Sequence, residues 1–320
     1  MANFALEERG CGCEGDGSPG FELDKGALKE SGRVLLGDWT APLIEQLSEG
    51  VAALAQATSI APVQQGRVVA IRQTDTSRLF SSFKSGFYHS RYDDLQNRER
   101  FLKQLVRRHH TYEPIRGETV LFLFVGVSKS VYDGLSMFVS GRPTRIIGGS
   151  NHSVPWGVEV PKGVSDPAAF AAPFLEDMAR IAQLFGEEKL SEADKEEMRV
   201  LRAKLPACTL MAPFILEFSE EALVTKVFVQ RLWERGVEGR DTADVVRDMW
   251  MCCRSLDRGK FETLRDYHGS HTVIWEDGMR ALRDSATTAD RFIEWLEEEK
   301  EAAGGSAYEV VMRAFDRLGG

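Results

Sequence analysis

Residues 110–153 read HTYEPIRGETVLFLFVGVSKSVYDGLSMFVSGRPTRIIGGSNHS, and the centre of this stretch decides how the chain folds. Thr119-Val120-Leu121-Phe122-Leu123-Phe124-Val125 is an unbroken apolar run rich in β-branched and aromatic side chains. Such a run is the pattern of a strand buried on both faces. Gly126 ends it, Ser128 stands where a capping hydroxyl serves, and Val131, Leu135 and Phe138 recur at helical spacing. Gly141-Arg142-Pro143 breaks the helix, and a polar loop running through Arg145, Ser150, Asn151, His152 and Ser153 is expected to follow. A buried strand, a capped helix and a basic polar loop make an anion-binding corner. The alternative reading is an ordinary surface loop after a core helix.

Outward from this stretch, the whole chain sets limits. Its 320 residues can hold one large domain or two small ones with ample core. A hydrophobic content of 43% and a charged content of 28% are those of a globular protein. The net charge of −9 argues against a nucleic-acid polymer as partner and leaves room for one local phosphate pocket. The five cysteines are odd in number, and Cys11-Gly12-Cys13 and Cys252-Cys253 lack the paired spacing of a zinc site. Free thiols and no metal are expected. No apolar signal region opens the chain and no apolar run reaches spanning length, so a cytoplasmic protein with no membrane partner is expected.

On the N-terminal side, residues 1–32 are Gly-rich and charged, the composition of a flexible lead-in. Leu43, Ile44, Leu47, Val51 and Leu54 then recur three and four apart, which predicts a helix closed before Pro62 and Gly66. Residues 67–72 read as a short strand, and helices are expected from Ser77 and over residues 93–108, the second ending in Arg107, Arg108, His109 and His110. On the C-terminal side, residues 155–173 read as a proline-bearing connector and residues 174–185 as an amphipathic helix. Ser191-Glu192-Ala193-Asp194 starts a helix that carries Arg202 towards Leu205-Pro206. Residues 209–218 are apolar throughout, and periodicity leaves strand and buried helix open. Ser219 then caps a helix that places Lys226, Gln230 and Arg235 near one face and ends at Gly236. Residues 242–253 form another helix, and two short charged helices around Trp295 and Phe315 close the chain.

The chemistry narrows in the same way. There is no Gly-x-Gly-x-x-Gly after a strand, no Gly-Lys-Ser phosphate loop and no Gly-x-Ser-x-Gly elbow. Arg142 and Arg145 in a Gly-rich turn, with Arg202 and Arg235 from separate helices, suit a ligand bearing phosphate and a planar polar ring, because guanidinium forks bind both directionally. His109, His110 and His152 titrate in the range useful for proton transfer.

Taken in order, these elements resemble the flavin-dependent thymidylate synthases over residues 67–255. That family has a helix ending in His, an apolar strand, then Gly-Val-Ser-Arg opening a helix. The counterparts here are His110, Leu121 to Val125, and Gly126-Val127-Ser128-Lys129. It has an Arg three residues ahead of Leu-Pro, matched by Arg202-Ala203-Lys204-Leu205-Pro206. It also has a helix of the form Asn-x-Arg-x-x-x-Asn-Phe-Leu-x-x-Arg, to which Val224 through Lys226 and Gln230 to Arg235 correspond. The family's Arg-His-Arg-x-x-Ser signature has its counterpart within residues 137–156, where Arg142, Arg145, Ser150 and Asn151 are partial matches.

The resemblance implies an α+β fold with helices packed on a central sheet. A catalytic domain is expected over residues 33–260, between the lead-in at 1–32 and a helical extension at 261–320. It implies FAD-dependent C5 methylation of a uridylate, UMP or dUMP, with 5,10-methylenetetrahydrofolate as one-carbon donor and NADPH as reductant. A branch of the family that methylates UMP in nucleoside-antibiotic pathways is the nearest expectation. By the same resemblance Arg235 polarises the pyrimidine, Arg202 holds the nucleotide phosphate, and His110, Lys226, Gln230 and Asn151 contact FAD. Arg142, Arg145 and Ser150 complete the pocket from a neighbouring subunit of a homotetramer. The alternative on the same fold is a non-catalytic flavin- or nucleotide-binding relative.

Overall fold

A computed structural model describes residues 21–28, 32–74, 117–137, 141–149, 153–161, 163–232, 240–258, 260–261, 278–303 and 307–319. The two helices expected between Ser77 and Arg108 lie outside these residues, as do His110, Ser150, Asn151, Arg235 and Gly236. The chain divides into two compact units, and Pro19–Arg265 is the one that carries the sheet.

In chain order this unit runs α1 (Lys25–Leu28), β1 (Arg33–Leu35), α2 (Gly37–Thr58), β2 (Val63–Gln65), β3 (Val68–Gln73), β4 (Thr119–Phe124), α3 (Lys129–Ser136), β5 (Arg145–Gly148) and β6 (Gly157–Glu159). It continues through α4 (Pro167–Phe185), α5 (Glu192–Ala203), β7 (Thr209–Leu210), β8 (Phe214–Ser219) and α6 (Glu220–Ala222). A π-helical turn (Leu223–Val227), α7 (Phe228–Arg231) and α8 (Arg240–Leu256) follow. The class is mixed α+β, with every strand pair antiparallel.

The central sheet has the order β2-β3-β4-β8-β5, and β4 sits in its middle as the apolar run demands. Phe122 and Phe124 face the side on which Leu216, Phe218, Val131, Phe228 and Trp250 pack. Leu123 faces the other side, against Ile44 and Val51 of α2, Leu23, Leu28 and Trp156. Both faces are therefore dry, which is why the strand lacks alternation. Residues 209–218 resolve as two strands rather than a helix. β8 pairs with β4 from Thr119↔Ser219 to Phe124↔Phe214, placing two runs of aromatic and β-branched side chains side by side.

Four features differ from expectation. The stretch expected as a loop after Gly141 contains β5, which pairs with β8 through Arg145↔Glu217 to Gly148↔Phe214 and leaves Ile146 and Ile147 exposed at the sheet edge. β2 precedes the predicted strand, which is β3, and forms with it a hairpin that turns at Gly66, whose φ of 50° suits glycine. The connector at 155–173 contains β6, and α4 starts at Pro167 rather than at 174. Asp166 accepts from Ala169 N–H at 3.0 Å, and Pro167 fills the first turn, where no donor is lost. Finally, the expected lead-in reaches only part of its span: Leu23 and Leu28 are 1% and 2% exposed, because the apolar positions of Phe21-Glu22-Leu23 and α1 face α2 and the sheet.

The second unit includes Asp266–Gly320, and its described part begins at residue 278. There α9 (Ala289–Ala303) and α10 (Ala307–Asp316) pack through Phe292 and Phe315, stacked with centroids 5.3 Å apart. These are the two helices expected around Trp295 and Phe315. Among the described residues no helix is long and apolar enough to cross a membrane.

Candidate functional site

Where β4 ends, Gly126 takes a φ of 64° and turns the chain into α3. The turn is then zipped onto the segment before β8. Met211 N–H donates to Val127 O at 2.9 Å, and Ser130 N–H donates to Ala207 O at 3.0 Å. These long-range bonds carry the start of α3 alongside the end of α5 and β7. The result is a cavity of about 490 Å³ of empty space, partly open to solvent, lined by Lys129, Ser153, Arg202 and Thr209 among others.

Each polar side chain has a local reason for its place. Ser191 and Asp194 form a reciprocal capping box that starts α5, and Arg202 falls in that helix's last turn, where a cation meets the negative end of the dipole. Burial of the Arg202 guanidinium lowers its pKa, the direction that desolvation gives a cation. Lys129 opens α3 and donates to Asp133 at 2.6 Å, an (i, i+4) pair that holds the ammonium near the helix surface. Ser128 occupies the N-cap position, yet its hydroxyl lies 3.0 Å from that of Ser130 instead of capping the backbone. Thr209 is 3% exposed, and its hydroxyl has no hydrogen-bond partner among the described residues. A buried hydroxyl left unsatisfied costs free energy that a ligand oxygen can recover.

The two cations and the hydroxyl therefore line one small cavity, and none of its described lining residues is acidic. That is the donor chemistry of a phosphate or carboxylate site.

The other expected site residues that the structure describes sit elsewhere. Arg145 lies on β5 and forms an ion pair with Glu217, its Nε 3.2 Å from Oε2. Glu217, 4% exposed, also accepts from Arg72 at 2.9 Å and from the Thr119 hydroxyl at 2.7 Å, so Arg145 helps compensate a buried carboxylate. Arg142 is exposed, and neither arginine lines the cavity. Lys226, on the π turn, and Gln230, on α7, are four residues apart and both exposed. Neither lines the cavity beside Arg202. Of the expected phosphate ligands among the described residues, only Arg202 reaches the cavity.

Lys129 and Thr209 were not expected there. Lys129 stands at the last position of Gly126-Val127-Ser128-Lys129, where the resembled motif carries Arg, and that was a usable signal. Nothing local in the sequence marks Thr209.

Among the described residues there is no group of three or more His, Cys, Asp or Glu side chains able to hold a metal. A second polar centre lies at the other end of β4. Lys260, 1% exposed, donates to Glu118 at 2.6 Å and pairs with Glu220, which in turn accepts from Gln73 at 2.7 Å. Its chemistry is that of a buried ionic lock between strand ends and the segment after α8.

No protein-family model and no curated protein matches this chain.

Proposed function

We propose that this chain binds a uridylate with its phosphate between Lys129 and Arg202, and that it acts on that nucleotide by FAD-dependent C5 methylation. The one-carbon donor would be 5,10-methylenetetrahydrofolate and the reductant NADPH. The observation that supports the reading is the convergence of Lys129 and Arg202 on one cavity beside the unpartnered Thr209 hydroxyl. Both cations belong to motifs on which the resemblance to the flavin-dependent thymidylate synthases rests, and they meet only through the tertiary fold. Charge-assisted hydrogen bonds of this kind contribute about 1.5–3 kcal/mol each.

The protein's part in such a reaction is orientation and electrostatics, and the cofactor supplies the redox and one-carbon chemistry. Lys226 and Gln230 offer an ammonium and an amide on one exposed face, which suits polar contact with a flavin laid on the surface. They do not enclose one, so no catalytic step is routed through the flavin here. In this reading the remaining wall comes from a second copy in a homotetramer.

The position of Lys226 and Gln230 outside the Lys129–Arg202 cavity favours one second reading, a nucleotide-binding protein without flavin turnover. One experiment separates the two. Absorption spectra of the purified protein are recorded with and without FAD and then titrated with UMP and dUMP. A flavin band that shifts on adding one nucleotide is the expected result and identifies the preferred sugar. Nucleotide binding with no flavin binding refutes the methylation reading and leaves the second.

A further inference from the structure

The cationic cavity is bounded in part by Ser153 and Ala212. Both residues also line a second, wider cavity, of about 830 Å³ of empty space against about 490 Å³ for the first. Its walls are aromatic, with Trp39 and two leucines from α2, Trp156 before β6, and Phe185 at the end of α4. Trp39 and Phe185 meet edge to face, with centroids 6.3 Å apart and planes at 87°, so they form a corner rather than a stack. Phe185 is 50% exposed, a large ring left in water beside the opening. The indole N–H of Trp39 is buried and has no acceptor among the described residues. No described Asp or Glu lines either cavity, and Gln46 adds an amide able to donate and to accept.

A slot for an anion and an aromatic corner thus share a wall. We infer that the two cavities form one bipartite site for an anion that carries a planar ring. The anionic group lies between Lys129 and Arg202. The ring packs against Trp39 and Phe185, and a ring carbonyl accepts the hydrogen bond that the Trp39 N–H lacks. The inference rests on the phosphate reading of the first cavity and adds to it where the rest of the ligand goes. Aromatic side chains take planar heterocycles readily because every such ring has a π-face, and the unmet indole donor selects rings bearing a carbonyl oxygen. A ring-free phosphate fills only the first half of the site.

The test compares UMP with ribose 5-phosphate by calorimetry on the full chain and on the Phe185→Ala and Trp39→Phe variants. The phosphate and sugar are common to both probes, so their difference reports the ring. UMP is expected to bind on the order of tenfold tighter. Phe185→Ala erases most of that advantage and leaves ribose 5-phosphate binding as it was. Its side chain is half exposed, so the fold survives its loss. Trp39→Phe keeps a ring and removes only the donor, and it weakens UMP by about two- to tenfold. If UMP binds no tighter than ribose 5-phosphate, or if Phe185→Ala leaves the ratio intact, the bipartite site is refuted while the phosphate site stands. If neither probe binds, both fail.

Discussion

Lys260→Met is the perturbation whose outcome the structure specifies most sharply. The Lys260 side chain is 1% exposed and lies between Glu118 and Glu220, at 8% and 0%. Methionine fills comparable space and leaves two buried carboxylates without their cation. Removing one partner from a buried ion pair costs about 3–5 kcal/mol, because the stranded charge keeps its desolvation penalty. For a domain of this size each kcal/mol moves the melting temperature by about 2–4 °C. The melting temperature of Lys260→Met is therefore expected to fall by about 6–20 °C in calorimetry. Neutralising the stranded charges, with Glu118→Gln and Glu220→Gln added to Lys260→Met, recovers most of the loss, since the penalty belongs to the charges rather than to lost packing. The cluster also has a functional reach. Glu118 immediately precedes β4, and β4 leads through Gly126 to Lys129, so loosening the strand's start weakens the frame that holds Lys129 at the cavity. A Lys260→Met protein melting within about 2 °C of its parent would refute the lock, given the magnitudes above. So would a triple variant no more stable than the single one.

Three further outcomes follow from particular contacts. Thr209→Val removes a buried hydroxyl with no partner among the described residues. The ligand-free protein should gain on the order of 1 kcal/mol in denaturant titration while phosphate affinity drops a few-fold, and a loss of stability would contradict the assignment. The Asp194 carboxyl is held below its ordinary value first by the Ser191 hydroxyl and then by the Ser191 N–H. A lowered folded pKa means that the unfolded chain binds more protons, so the cap stabilises fully above about pH 4 and fades as pH falls through the folded value. The melting difference between Ser191→Ala and the parent should accordingly shrink between about pH 6 and pH 2, and a constant difference would refute the capping role. Burial pushes the thiols of Cys252 and Cys253 up, and both are fully enclosed. Iodoacetamide at neutral pH should leave both unmodified in the native protein and label both in guanidinium, as read by peptide mass mapping. Labelling of either at the rate of a free thiol would show the core to be open.

Several elements were legible because their cause is local. The apolar run of β4 needs no neighbour to be recognised as a buried strand, and Ser191 with Asp194 carries its capping box within four residues. The start of α4 was legible too, in Asp166 followed by Pro167, but the second proline, Pro173, drew the boundary too late. β5 and the strands at 209–218 were not legible, for a physical reason. Short strands buried on both faces, or left at a sheet edge, have no alternation to betray them, and only pairing, of β8 with β4, β5 with β8 and β7 with β6, gives them their form.

The candidate site divides along the same line. Arg202 could be singled out from the order of motifs. Lys129 and Trp39 come from segments far from it in the chain, whereas Thr209 opens the next strand after it and Phe185 ends the helix before it. Distant segments are joined by backbone hydrogen bonds such as Met211 N–H to Val127 O. From the sequence alone came the class of fold and its central strand. Which side chains meet at the cavity was decided by the tertiary structure, because hydrogen-bond registers between distant segments leave no periodic trace in either one.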